Sequence, residues 1–362
     1  MKTVLVTGSS GLIGSAAVEH FDRQGCTVVG VDNNMRRTFF GPAGDTRWNL
    51  RRLKARTKRF IPVATDIRDV RRVARLFREH RFDLIVHCAA QPSHDLASSM
   101  PQVDFEVNAV GTMNLLEATR RHCPDAVFAH MSTNKVYGDA PNERPLVERP
   151  TRYDYARPED AAGINEGCRM DRSLHSIFGA SKAAADLMAQ EYGRSFGLRV
   201  GIFRCGCVTG PAHAGVELHG FLSYLVKVAV QGGPYTVYGY KGKQVRDQIH
   251  SADVIQAVET FARDPEPGEP YNMGGGRANS LSVLEAIQAV ERLAGVRLAW
   301  RYEDRARRGD HICYMSDLTK FRTRYPGWTP AYPLTRILGE LVEAERARTR
   351  RGSRRRRVAV PA

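Results

Sequence analysis

The 362-residue chain contains no apolar run approaching the ~20 residues of a membrane-spanning helix. Thr3-Val4-Leu5-Val6 opens directly on a strand-like segment, without the charged and apolar regions of a leader. Seven cysteines, odd in number and scattered, exclude a disulfide framework and fit reduced thiols in a cytosol, so a cytoplasmic protein without membrane contact is expected. Only Cys205 and Cys207 lie close together, and no neighbouring His or Cys has zinc-ligand spacing, so no metal is expected. No internal repeat is present. Acid is nearly missing from two stretches. Residues 346–357 hold eight Arg and no acid, and residues 36–59 hold nine Lys or Arg against Asp45 alone. The formal net charge of +15 resides in these patches, and the remainder of the chain carries −1. Such local basicity argues against specific nucleic-acid binding by the fold. Residues 343–362 lack periodicity and large apolar side chains and read as a disordered, dispensable tail.

What is there is enough chain for two coupled domains. Short apolar runs (Val4–Val6, Val28–Val31, Ile61–Ala64, Leu84–His87, Val127–Met131 and Val200–Arg204) alternate with helical patterns such as Val70–His80 and Gly111–His122. That alternation predicts an α/β fold, a Rossmann-type doubly wound and mostly parallel sheet. After about Gly210 the pattern changes to helix, short strand and loop. There Tyr235–Tyr238 and Pro270–Met273 read as strands, and Ser282 with Glu285 forms a capping box that opens a helix. The expected division is a cofactor-binding domain over 1–180 with contributions from 181–210, a smaller α/β substrate domain over 211–342, and the tail. Arg36–Arg59 and Ala140–Ile177 read as long irregular segments of functional type.

The first strand runs into Thr7-Gly8-Ser9-Ser10-Gly11-Leu12-Ile13-Gly14 and then a helix. Gly8 permits the tight turn, Gly11 lets backbone approach a pyrophosphate, and Gly14 lets helix pack on strand. The pyrophosphate then meets the N–H groups of the helix start, including those of Leu12 and Ile13. Asp32, eighteen residues after Gly14 and followed by Asn33, closes the second strand where it can hold the adenosine ribose hydroxyls. An acid there favours NAD over NADP, although Arg36 and Arg37 keep NADP open. Asp66-Ile67 and Ala89-Ala90 stand at later strand ends, where ligands bind in open α/β sheets.

With these features the chain resembles the extended short-chain dehydrogenase/reductase family, specifically its nucleotide-sugar epimerases and dehydratases. The resemblance rests on the GxxGxxG spacing and on NAVGTMNLLEATR, HMSTNKVYGD, GASKAAAD, KQVRDQIHSADV and NMGGG in the family's order, and it spans residues 1–340. STNKVYGD, Thr151-Arg152-Tyr153, His175-Ser176 and the KQVRD segment look most like the CDP-tyvelose (CDP-paratose) 2-epimerases. The resemblance implies bound NAD, a CDP- or UDP-type nucleotide-sugar substrate, a homodimer or tetramer, and a centre of Ser/Thr and Tyr-x-x-x-Lys. Thr133 and Lys182 fill the outer positions, but Phe178 stands at the tyrosine position. A phenyl ring exchanges no proton, and a positioned base is worth ~10²–10⁴ in rate. Substitutes are Lys135, if desolvated, then His175, which titrates near neutrality, with Cys207 and Thr133 behind them. Each has a plain structural alternative: an ion pair for Lys135, a surface hydrogen bond for His175, packing for Cys207. The resemblance further implies Arg246 and Arg307 as pyrophosphate partners. His94, Asn108, Tyr153, His213 and His219 are further candidate sugar or base contacts, with Asn134 and Cys207 also on the substrate side and Asn108 also a candidate for the cofactor.

Overall fold

The computed structural model describes the backbone of residues 2–358 and side chains through Arg350, apart from Ala214, Leu218, Arg307 and Arg308. The parallel alternation expected from the sequence is realised in strands β1 (Thr3–Thr7), β2 (Thr27–Val31), β3 (Phe60–Val63), β4 (Leu84–His87) and β5 (Val127–Thr133). A short antiparallel pair, β6 (Leu146–Glu148) and β7 (Tyr153–Tyr155), precedes β8 (Arg199–Cys205). Then come β9 (Cys207–Thr209), β10 (Tyr235–Tyr238), β11 (Val245–His250), β12 (Glu269–Met273), β13 (Ser280–Ser282), β14 (Trp300–Glu303) and β15 (Cys313–Tyr314).

Seven of these strands form one sheet in the order β12-β8-β5-β4-β1-β2-β3, with parallel pairing throughout. Its central strands read as continuous apolar runs because both faces are covered. On one face the helices Leu12–Arg23 and Ser251–Arg263 bury Val18, Phe21, Val254 and Phe261. On the other, the helices Val70–Glu79, Gly111–His122 and Ile177–Phe196 bury Phe77, Leu115, Leu116 and Ala189. The C-terminal part contributes two small sheets, β13-β11-β15 with β9 beside β11, and β10-β14. A third core of Leu225, Ile287, Ile337 and Leu341 lies among the helices Phe221–Gln231, Val283–Ala294 and Leu334–Val358. The Ser282–Glu285 capping box forms as expected.

The structure differs from the sequence reading in three places. First, β12 and the helix Ser251–Arg263 belong to the large sheet and its cover, so a boundary at residue 210 is crossed twice by the chain. Second, most of the basic segment 36–59 is helical, as Met35–Phe40 and Arg47–Arg56, anchored by buried Phe39 and Leu53. The Asn34 side chain ties the starts of these two helices together by accepting from Thr46 N and Thr46 Oγ1 at 3.0 and 3.1 Å. Third, residues 343–350 are ordered helix, not a loose tail. The helix is carried by Ile337, Leu338, Leu341 and Val342, whose spacing gives a buried stripe. Beyond them Gln231 donates to Glu345 at 2.6 Å, and Arg346 donates to Ala294 O at 2.8 Å. Arg348 donates to Pro211 O and lies 5.0 Å over the Trp48 ring. Among the described residues no helix is long and apolar enough to cross a membrane.

Candidate active site

A cavity of about 500 Å³ runs along the C-terminal ends of the large sheet and continues beneath β10 and β11. Its floor at the first strand is backbone. Gly8 adopts φ +65°, and a Cβ there would lie 2.9 Å from Ala89 N. A Cβ on Gly14 would lie 2.1 Å from Gly8 O, so a side chain cannot be accommodated where helix crosses turn. Gly11 begins the helix without a side-chain cap, leaving N–H groups of Leu12 and Ile13 at the cavity wall. Asp32 is held by Ser10 N at 2.9 Å and Asn34 N at 2.7 Å. Burial raises its carboxyl pKa and those two N–H groups pull it back. Asn33 donates to Asp66 at 3.1 Å, and the Arg68 guanidinium holds the Asp66 carboxyl below its usual range. Ile67, Ala89 and Ala90 complete this end. A phosphate cradle that any Cβ would fill, with a carboxylate at the end of the adjacent strand, fits NAD.

The middle of the cavity is set by β5 and the helix Ile177–Phe196. Thr133 Oγ1 accepts from Lys135 N at 3.3 Å and so starts the turn Asn134–Tyr137. Lys182, one helical turn from Phe178, is buried and donates to Met131 O at 2.7 Å. Burial pulls its ammonium pKa down to about 8. The Phe178 ring meets the His94 ring edge-on, centroids 4.9 Å apart. His94 Nδ1 is 2.8 Å from Ser176 Oγ, which also accepts from Gly179 N at 3.1 Å to cap the helix.

The far end is charged. Lys135 Nζ donates to Gly309 O at 3.0 Å and stands 3.5 Å from Asp310 Oδ1. Burial lowers its pKa to about 8. Arg246 is bonded to the same carboxylate and to His311 O. Burial pushes the Asp310 carboxyl up, but Arg246 and Lys135 outweigh it and hold it well below the usual range. Cys207, raised to about 11 by burial, is a neutral thiol in the wall. His213 and His219 lie 3.5 Å apart, and burial suppresses protonation of both.

Comparison with known proteins decides the lineage. Residues 4–274 match the family model described as the NAD dependent epimerase/dehydratase family. The chain belongs to that family. It is 31% identical over 334 residues to a CDP-paratose 2-epimerase from Salmonella typhi, covering 90% of this chain and 94% of the relative. It is likewise 31% identical over 356 residues to dTDP-glucose 4,6-dehydratase 1 of Escherichia coli, covering 90% and 88%. Among solved structures, a UDP-glucose 4-epimerase from Thermus thermophilus in complex with NAD superposes with a TM-score of 0.76 at 28% identity, covering 95% of this chain and 99% of that one. A dTDP-glucose 4,6-dehydratase from Streptomyces venezuelae with NAD bound gives 0.77 at 26% identity, covering 97% and 98%.

This NAD-dependent epimerase/dehydratase brings most of the expected residues to one cavity: the three glycines, Asp32, Asn33, Asp66, Thr133, Asn134, Lys135, Phe178, Lys182, Cys207, His219, Arg246 and His94. Asn108, Tyr153 and His175 stand outside its wall. Asn108 is buried behind it, donating to Gln91 O and Ser181 Oγ at 3.1 Å each and accepting from Gln91 N at 2.9 Å. It fixes the loop that carries His94. Tyr153 is on the β6–β7 hairpin, its hydroxyl 3.5 Å from Glu148. His175 has Nδ1 2.9 Å from Ser173 O and Nε2 2.8 Å from Val136 O, so both nitrogens face backbone carbonyls and not the cavity. Arg307 lies outside the described residues. Arg36, Phe39 and Thr46 of the basic segment, and Asp310, also line the cavity, although no motif marks them for it. The Arg36 guanidinium lies 4.7 Å over Phe40, its pKa lowered to about 10 by burial, and Arg37 pairs with Asp45 at 3.7 Å. Among the described residues no group of His, Cys, Asp or Glu is arranged to hold a metal ion.

Proposed function

We propose that this enzyme epimerises a nucleotide-activated sugar through transient oxidation, with NAD retained from one turnover to the next. The carrying observation is the continuity of the cavity from the glycine cradle, past Thr133 and Lys182, to the cationic corner of Arg246 and Lys135. NAD, when bound, supplies the acceptor that takes a hydrogen with its electron pair from a sugar carbon and gives it back. The chain's own groups divide the rest. Gly8, Gly11 and Gly14 admit the pyrophosphate to backbone N–H groups, and Asp32 receives the ribose hydroxyls. Thr133 offers a hydroxyl to the sugar. Arg246 and Lys135 meet the negative charge of a CDP- or UDP-type substrate.

A dehydratase using the same oxidation is the second reading, supported by the relatives of that activity at equal identity. The related dehydratases carry an Asp-Glu pair beside the Thr position, and the presence of Asn134 and Lys135 there instead favours epimerisation. A third reading is a protein that binds both ligands without turnover. Incubating the holoprotein with CDP-, UDP- and GDP-sugars in deuterated water and following products by NMR separates the three. Stereochemical inversion is expected; loss of water gives the dehydratase, and silence across the panel gives the binding protein.

The same preparation, heat-extracted, should release NAD and not NADP, and Asp32→Ala should retain at least about tenfold less of it. Recovery of NADP as the main species overturns that assignment. We further read the enzyme as a dimer, since Met113, Leu187 and Met188 leave apolar surface exposed on the adjacent helices Gly111–His122 and Ile177–Phe196.

A further inference from the structure

We propose that His94 is the proton-exchanging group of this site, standing in for the phenol that position 178 lacks. The inference rests on the epimerase/dehydratase reading and names the residue that performs its acid–base step.

Four observations converge on this side chain. Position 178 presents a phenyl ring, and the imidazole of His94 lies edge-on against it at 4.9 Å between centroids, so a titratable ring occupies the space beside the missing hydroxyl. His94 and Phe178 face one cavity together with Thr133 and Lys182. The imidazole is oriented rather than loose. Ser176 Oγ, 2.8 Å from Nδ1, is itself fixed as the cap of the helix that carries Phe178 and Lys182. Finally, the loop before His94 is braced: Gln91 Oε1 accepts from Ser93 N at 2.6 Å, and Asn108 accepts from Gln91 N at 2.9 Å. An oriented imidazole beside the position of the missing phenol is the arrangement a general base requires.

The other titratable groups fail on geometry. Lys135 is a donor to Gly309 O and faces Asp310, so it serves as a cation. Both nitrogens of His175 face backbone carbonyls, outside the cavity wall. Lys182 donates to Met131 O from a buried position. His213 is bonded to Ser223 at 3.0 Å and packed edge-on behind His219. Among the described residues, the ionisable groups that share this part of the cavity with His94 include His219, Lys135 with Asp310, Lys182 and Asp95 on its own helix.

The step uses the tautomer in which Nδ1–H is donated to Ser176 Oγ, so that the lone pair is on Nε2. In the oxidative half the proton of the sugar hydroxyl passes to Nε2 and the C–O bond becomes C=O. The carbon's hydrogen leaves with its electron pair to NAD. In the return half Nε2–H gives the proton back to the oxygen, and the imidazole ends neutral.

The test uses the holoenzyme with the nucleotide-sugar that the panel shows to be turned over, and with CDP-glucose and UDP-glucose as binding probes. In His94→Gln, which keeps a polar side chain but exchanges no proton, kcat should fall by ~10²–10⁴ and the acid limb of the pH–kcat profile should disappear. NAD content and probe affinity by calorimetry should stay within about threefold of wild type. In nitrogen-15 imidazole spectra the resonance absent from His94→Gln should shift when probe is added to the wild type. Ser176→Ala, which frees Nδ1, should move the acid limb while retaining more activity than His94→Gln. Turnover of His94→Gln within about threefold of wild type overturns the proposal, as does an imidazole resonance that ignores both probes. Loss of probe affinity in proportion to kcat makes His94 a binding residue and equally overturns it. A wild type silent across the panel instead sinks the enzymatic reading itself and takes this proposal with it. An active wild type beside an active His94→Gln sinks this proposal alone.

Discussion

Lys182→Met is expected to leave a protein that has lost its turnover and melts higher without ligand. The two effects share one cause. Lys182 is 4% exposed and its ammonium donates to Met131 O, and burial outweighs the attraction of Asp186 and Asp104. Burial has pulled its pKa from 10.5 to about 8. Keeping such a group protonated at pH 7 costs on the order of 3 kcal/mol, since a tenfold change in proton affinity corresponds to about 1.4 kcal/mol. A thioether of similar length removes that cost and gives up one hydrogen bond, worth about 1 kcal/mol. The apo variant should therefore gain on the order of 1–2 kcal/mol, read as a rise of a few degrees in Tm by calorimetry. Turnover should fall by at least ~10², because the cavity loses the cation that shares its wall with Thr133 and Phe178.

The pH dependence fixes the sign independently. A lysine whose folded pKa lies near 8 and whose unfolded pKa lies near 10.5 makes the unfolded state the better proton binder between those values. The cost of the buried ammonium is therefore fully present below pH 8 and is relieved as pH rises from 8 to 10.5. Lys135 is lowered to about 8 as well, also by burial, and contributes a similar slope. Lys182→Met should reduce that alkaline slope and leave the Lys135 part. Denaturant titrations at about pH 7.5, 9 and 10 measure it. An unchanged slope means the Lys182 ammonium is better solvated than its surroundings imply.

Much of this site is legible along the chain, and the reason is spacing. Gly8, Gly11, Gly14 and Asp32 sit close in sequence and in fixed relation to β1 and β2, so local pattern and final geometry coincide. The same holds for Phe178 and Lys182, one turn apart on one helix. What the sequence conceals are contacts between distant segments. Lys135 donates to Gly309 O across 174 residues, and His94 meets Ser176 across 82. Nothing in either neighbourhood announces the other. Tyr153 and His175 fit the family's segments by order but turn away in space, because the hairpin and the carbonyls around them claim their polar atoms. Charge hides the remaining features. In 35–56 and 343–350 the arginines obscure a few buried apolar anchors, Phe39 and Leu53 in the first, Leu341 and Val342 just ahead of the second. A helix needs only that stripe, and its polar face can be almost any composition.

Phe178→Tyr tests whether this centre is rebuilt or decayed. The substitution restores Tyr-x-x-x-Lys without moving Lys182, so in a decayed centre it should raise turnover by ~10²–10⁴. In the structure the ring of residue 178 is already engaged. It is 7% exposed and packs edge-on against the His94 imidazole. A hydroxyl added there enters a space shared with a second proton-exchanging ring, and the two compete for one sugar hydroxyl. The expected result is turnover unchanged or lowered up to about tenfold, with NAD content intact. The double variant His94→Gln/Phe178→Tyr carries the sharper expectation. With the imidazole removed, the phenol is placed to take the proton, and Lys182 one helical turn away favours the phenolate. Turnover should then exceed that of His94→Gln by at least about tenfold, although Phe178→Tyr adds nothing on its own. Such opposite responses to one substitution, measured as a double-mutant cycle, are the signature of two residues sharing a task. Equal responses in both backgrounds would falsify that sharing, and a large gain from Phe178→Tyr alone would mark the centre as decayed.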